Sequence, residues 1–334
     1  MVAPVVYRSD DASAPALSGT SGSLITLLDA CLVNGYGVKP AAGWTKAFSG
    51  TNGAAYRMGT GGTARRMYLR VVDDQNNQYA SIRGFDDMTD VNTGTEPFPT
   101  VAQFAGTNND GMWFMKSTTA NATARPWVLF ATPTCFFLIS AADQTVIGSF
   151  GDNSGGMFFG EYVRNNPAFT HNVCIIGKTA NTTSLGEALA SLPLPDGLAS
   201  QIGHFLCRGY VGGPGAMQFC KRVHMPNRMS TGSPNVLGRA TNDLPAPDPV
   251  TGKVYASRID LCNFDGGAWG WIGRLPGVWA PHVNGFLGAA FNTINGSGGM
   301  AGRTYMCMDV PGNGITGSNG NVRGRMLFDL TDFD

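Results

Sequence analysis

Of the 23 acidic residues in this chain, only Glu96, Glu161 and Glu187 are glutamate, and only six residues are lysine. Glutamate and lysine are the charged residues that helices favour, whereas aspartate and glycine favour turns. The other 20 acids are aspartate, and 46 of 334 residues are glycine, about twice the usual share. A chain with this bias is expected to be mainly β, with sandwich or barrel-like antiparallel sheets and long Gly-rich loops.

One stretch departs from that rule. In "SGSLITLLDACLVNGYG" (21–37), Leu24, Leu27, Leu28, Cys31 and Leu32 recur at the three-and-four spacing of a single apolar helix face. Ser23 is placed to cap its start and Asn34-Gly35 to stop it. The helix is amphipathic, so it is expected to lie against a sheet or a neighbouring subunit. Leu24, Leu27, Leu28 and Leu32 are therefore candidate interface residues. Before it, residues 1–20 are rich in Ser, Ala and Pro and read as an extended arm, a second candidate for contact between subunits.

Alternating and apolar runs follow. "AAYRM", "ARRMYLRVVDD" and "QYASIRGF" read as consecutive hairpin strands, with Met67, Leu69 and Val71 on one face and Arg66, Tyr68 and Arg70 on the other. "RPWVLFATPTCFFLIS" (125–140) reads as a hairpin about Thr132-Pro133-Thr134, its arms so continuously apolar that both faces are expected to be buried. A short helix is expected at "SLGEALASL". These signals divide the chain into an arm (1–20), an N-terminal β-rich domain with a leading helix (21–183), a helix and linker (184–200), and a loop-rich β domain (201–334).

The chemistry-bearing residues form no catalytic pattern. Acids and bases balance at 23 each, so no net field draws the chain to nucleic acid or an anionic membrane. His171, His204, His224 and His282 are scattered without metal-ligand spacing. "GTGGTARRM" and "GYVGGPGAM" lack the GK[ST] of a phosphate-binding loop. "SDDASA", "VVDDQNN" and "GFDDMTD" lack EF-hand spacing and read as turn aspartates. A glycan-cleaving enzyme would need two carboxylates about 5–9 Å apart in a cleft, which sequence does not reveal. No cofactor and no metal is expected. The seven cysteines form no CxxC pair and sit among apolar neighbours, as small buried thiols made in a reducing cytoplasm do. No apolar run approaches the roughly 20 residues that a membrane-spanning helix needs, and the opening residues lack the basic and apolar regions of a secretory signal.

"GGAWGWIGRLPGVWAP" (266–281) holds three of the six tryptophans. On a strand Trp269 and Trp271 project to the same face. Exposed, they would form a platform for a sugar ring; buried, each would supply on the order of 200 Å² to a sparse core. Pro276-Gly277 reads as a turn that returns Trp279 towards the same layer. That arrangement favours packing over a glycan platform.

Several long blocks, taken together, resemble a group of virion structural proteins of tailed bacteriophages associated with the tail or baseplate. They are "VYRSDDASAPALSGTSGSLITLLDACLVNGYG", "GWTKAFSGTNGAAYRMG", "MYLRVVDD" and "IRGFDDMTDVNTGTEPFPT" in order, then "GRLPGVWAPH" and "RGRMLFDLTDFD". The resemblance covers the first hundred residues well and the rest in patches, and residues from about 141 to 265 do not share it. It implies a non-enzymatic, β-rich particle component located in the virion tail and assembled in the host bacterial cytoplasm. Its partners would be other virion proteins and copies of itself in a cyclic homo-oligomer. The alternative is a fibre module that binds a host glycan on the Trp269/Trp271 face.

Overall fold

In a computed structural model, residues 2–61, 66–98, 111–147, 154–169, 171, 173–176, 204–207, 218–222, 256–265, 268–281, 291–310 and 324–333 are described. The chain begins with β1 (Val5–Arg8), α1 (Ser23–Leu28) and a π-helical turn (Asp29–Asn34). A first group of strands follows: β2 (Thr45–Gly50), β3 (Gly53–Arg57), β4 (Tyr68–Val72), β5 (Tyr79–Phe85), the short β6 (Asp87–Met88) and β7 (Gly94–Thr95), and β8 (Met112–Met115). The middle of the chain gives β9 (Trp127–Ala131), β10 (Cys135–Ala141), β11 (Ser154–Gly160), β12 (Val163–Arg164), β13 (Val173–Ile176), β14 (His204–Cys207) and β15 (Gln218–Arg222). The last group is β16 (Ala256–Asp265), β17 (Ala268–Pro281), β18 (Thr293–Asn295), β19 (Thr304–Val310) and β20 (Gly324–Asp329). The protein is mainly β, all of the described strand pairs are antiparallel, and the one α-helix among the described residues is short and near the N-terminus.

Two main sheets organise the core. The smaller has the order β2-β3-β4-β5-β8. The larger runs β1-β9-β10-β11-β13-β14-β15-β16-β17-β20-β19-β18, with β12 paired to β17. Strands β9 to β11 form the middle layer. Trp127, Leu129, Phe136, Leu138 and Phe159 face α1 and the small sheet, where they meet Leu24, Leu28, Tyr56, Leu69 and Phe114. Their alternate residues Val128, Phe130, Phe137 and Phe158 face the other way, against Val278, Met306, Met326 and Phe328. Strand alternation therefore makes one hairpin serve two cores, and the apolar run at 125–140 is buried on both faces as its composition predicts. Met67, Leu69 and Val71 likewise share the buried face, while Tyr68 packs on the opposite side with Phe85 and Met88.

Several expectations are corrected here. Leu24, Leu27, Leu28 and Leu32 have no solvent exposure and lie in the chain's own core, so they are not an interface. Residues of the expected arm are also drawn in. Val5–Arg8 pairs with β9, Tyr7 is fully buried with its hydroxyl donating to Pro40 O at 2.6 Å, and Leu17 bridges to Arg125. The division into domains at 184–200 lies outside the described residues. However, Phe130 and Phe328 stack at 4.3 Å, so strands from either side of it share one core. The glycine-rich stretch "GYVGGPGAM" (209–217) lies outside the described residues as well.

The helix is also built differently at its ends. Ser23 does not cap it. Its hydroxyl donates to Ser18 O at 2.7 Å, and the Leu24 N–H is taken instead by Asp73 Oδ2 at 2.9 Å, from 49 residues away. The second half opens into the π turn, and the carbonyls of Cys31 and Leu32 accept the N–H groups of Ala42 and Trp44, each at 3.0 Å. The incoming chain thus satisfies helix-end carbonyls that would otherwise be orphaned. Gly35 stops the turn with φ +77°, as its position predicts.

Candidate functional site

The tryptophan segment lies on β17, a single strand of 14 residues. Pro276-Gly277 does not reverse the chain. Pairing with β16 passes from Asp260–Arg274 to Arg258–Trp279, so extra residues on β17 bulge out between these points. Gly277 supplies the positive φ, +61°, and Phe333 occupies the space where its side chain would be. Trp279 is consequently not folded back beside Trp269 and Trp271 but stands further along the same strand. The backbones of Trp269 and Trp271 pair with Phe264 and Cys262; their side chains lie outside the described part.

Trp279 is already engaged. Its neighbour Val278 points into the core, so Trp279 projects to the opposite face of the sheet, with Tyr305, Cys307 and Leu327. The Arg258 guanidinium lies 4.0 Å from its ring centroid, and Tyr305 meets it edge-on at 6.2 Å. A cation over an aromatic face is attracted by the ring quadrupole. Burial, together with the positive charges of Arg274 and Arg303, lowers the Arg258 pKa to about 10, which leaves it charged at neutral pH. One face of the indole is therefore taken by the chain itself and is not offered to a sugar.

The carboxylates of this face are likewise occupied. Arg303 donates to Asp329 at 2.5 Å and to Asp332 at 3.0 Å, and Asp329 Oδ1 accepts the N–H groups of Thr331 and Asp332. Hydrogen bonding to Asp329 raises the Arg303 pKa further. Burial, then the Asp329 charge, raises that of Tyr305. Such a constellation anchors the C-terminal segment; it presents neither a base poised against a nucleophile nor a carboxylate free to act as an acid.

Elsewhere, the residues singled out for possible chemistry resolve into structure. Asp11 accepts from Arg8 N–H and from the Tyr36 hydroxyl, and Asp90 accepts the N–H groups of Asn92 and Thr93 as a turn aspartate does. The glycine-rich stretch after β3 borders an open cleft of about 270 Å³ lined by Met58, Gly59, Thr60, Gly61, Arg66, Thr134 and Glu161. Its Arg66 donates to Met58 O at 2.7 Å, and its Glu161 pairs with Arg164 at 3.0 Å. No three His, Cys, Asp or Glu side chains converge as a metal site among the described residues. Cys31, Cys135 and Cys307 are buried thiols, and burial holds the Cys31 pKa well above its ordinary value. No described helix is long and apolar enough to cross a membrane.

Among the described residues the most enclosed polar pair is Asp73 and Lys116. Asp73 belongs to "VVDDQNN", whose aspartates read as turn residues, but its side chain is buried against Lys116, 43 residues further on, so the turn reading does not account for it. The scarcity of lysine was the only local hint. No protein-family model and no curated protein matches this chain.

Proposed function

We propose that this chain is a structural component of a tailed-bacteriophage virion, in the tail or baseplate region, which acts by assembling with copies of itself and with other virion proteins rather than by catalysis. The observation that carries this reading is where the resembling blocks fall. They supply Tyr7, Leu24, Leu28, Trp44, Tyr56, Leu69, Ile82, Val278, Phe328 and Phe333, all buried. Blocks similar to a family of particle proteins thus supply the residues that pack against both faces of the middle layer β9–β11. Two arginines outside them, Arg258 and Arg303, are spent on internal contacts with Trp279 and Asp329 of those blocks.

With the helix leucines committed to the core, contact between copies falls to the outer strands. Among the described residues β2 and β18 end their sheets and present exposed residues. Unpaired strand edges are templates for association. The test is to label the chain with an epitope tag and image purified particles while measuring the free protein's mass in solution. Label on the tail and a discrete cyclic oligomer support the proposal. A free monomer with no label on any particle would sink it.

A further inference from the structure

The pair Asp73–Lys116 has more order than a structural ion pair requires. Both side chains have no solvent exposure. Asp73 follows β4 and Lys116 follows β8, the two strands that flank β5. Lys116 Nζ donates to Asp73 Oδ1 and, at 2.8 Å, to Thr20 O. Asp73 Oδ2 accepts the Leu24 N–H at 2.9 Å. The Asp73 backbone is fixed as well, by Asn52 O on its N–H and by Gly22 N–H and the Ser21 hydroxyl on its carbonyl.

The hydrogen-bond inventory is informative. Among the described residues Lys116 Nζ meets two partners, Asp73 Oδ1 and Thr20 O, and its side chain has no solvent exposure. A secondary amide linking the two side chains would have one N–H and one carbonyl. The site offers one acceptor, Thr20 O, and one donor, Leu24 N–H. Burial also favours the neutral form of each group, raising the Asp73 pKa and lowering that of Lys116, against the mutual attraction of the pair. A neutral amine held against a neutral carboxyl is the reactant state of amide condensation, and fixed contact replaces the entropy cost of bringing them together.

We propose that Lys116 Nζ and Asp73 Cγ join in an intramolecular amide cross-link. A proton passes within the pair from ammonium to carboxylate. The Nζ lone pair then attacks Cγ, with negative charge developing on Oδ2, where the Leu24 N–H already donates. The Nζ–Cγ bond forms and the Cγ–Oδ1 bond breaks. Oδ1 leaves as water, carrying its own proton and one from Nζ. Oδ2 becomes the amide carbonyl, and the remaining N–H points to Thr20 O. The balance is one water lost, with no oxidant, reductant or further reactant. The product fastens the ends of β4 and β8 to each other beside the start of α1.

The experiment is an intact-mass measurement on the full-length wild-type chain, in soluble protein whose circular dichroism shows strands, followed by tryptic mapping. The expected mass, after allowance for the initiator methionine, is about 18 Da below that of the sequence, one water. A branched peptide should join residues 71–83, released by cleavage after Arg70 and Arg83, to the peptide containing Lys116. Lys116→Arg and Asp73→Ala should each abolish both signals. The full sequence mass in the folded wild-type protein overturns the proposal whether or not the variants fold. An 18 Da loss without the branched peptide, as a succinimide would give, overturns it equally.

Discussion

Replacing Phe130 by alanine tests whether the early and late strands form one cooperative core. Phe130 is fully buried on β9 and stacks on Phe328 of β20 at 4.3 Å with the rings 3° from parallel. Phe333 packs at 6.4 Å from it, while Phe137 meets Phe328 edge-on at 5.3 Å. An aromatic side chain buries about 150–250 Å², which at about 25 cal/mol per Å² is about 4–6 kcal/mol of transfer energy as an upper estimate. Measured Phe→Ala losses in cores run about 3–5 kcal/mol, so Phe130→Ala should cost about 4 kcal/mol. In a double-mutant cycle with Phe328→Ala, the two losses should fall short of additivity by about 0.5–1.5 kcal/mol, the coupling of a stacked pair.

The assay is urea unfolding followed in parallel by far-ultraviolet circular dichroism and tryptophan fluorescence. Wild type should show one coincident transition, and Phe130→Ala should move the whole of it. Two separate transitions, with the substitution shifting only one, would refute the shared core. A loss under about 1 kcal/mol would refute the packing argument itself, because surface changes are that small.

Gly277→Ala should destabilise by about 1–3 kcal/mol, since it adds a side chain at φ +61° against the Phe333 ring; thermal melting measures it. Cys31, Cys135 and Cys307 should react slowly with a thiol reagent at pH 8 in the native state and fast in urea, because burial keeps the Cys31 thiol protonated and all three shielded. For Trp269 and Trp271, replacement of either by alanine should cost about 3–5 kcal/mol and lower soluble yield if they pack as Trp279 does. A stable double variant that has lost only glycan or cell binding would instead establish a ligand platform.

What the sequence makes legible is whatever short-range chemistry controls. The scarcity of glutamate and lysine predicts a β protein, the alternation at Met67, Leu69 and Val71 predicts their shared face, and the doubly apolar hairpin predicts a layer buried on both sides. What escapes is decided by partners distant in the chain. Ser23 has the identity of a helix cap, yet Asp73 holds the neighbouring N–H because β4 ends beside the helix start. Pro276-Gly277 has the chemistry of a turn, yet pairing with β16 on both sides of it absorbs the kink as a bulge. The four leucines mark an apolar face correctly, but nothing in their spacing says whether that face meets the chain's own sheet or another molecule.

Register in the middle layer shows how this chain compensates for its composition. Strand β11 reads SGGMFFG, and a glycine-rich strand specifies register weakly. Hydrophobicity alone does not help here, because Phe158 and Phe159 face two different cores, both apolar. A slip by one residue would exchange one buried aromatic for another. Polar contacts discriminate where apolar ones do not. The Ser140 hydroxyl, fully buried on β10, donates to Met115 O at 2.6 Å and accepts the Gly155 N–H at 3.1 Å. A β-carbon at residue 155 would lie 2.4 Å from Met115 O and 2.6 Å from that hydroxyl. A slip by two residues that brought Met157 to that site would place its β-carbon against Met115 O and the Ser140 hydroxyl and force a clash. Gly155, which weakens the strand, is therefore also what admits a hydrogen-bonded junction of β8, β10 and β11 that disfavours that slip.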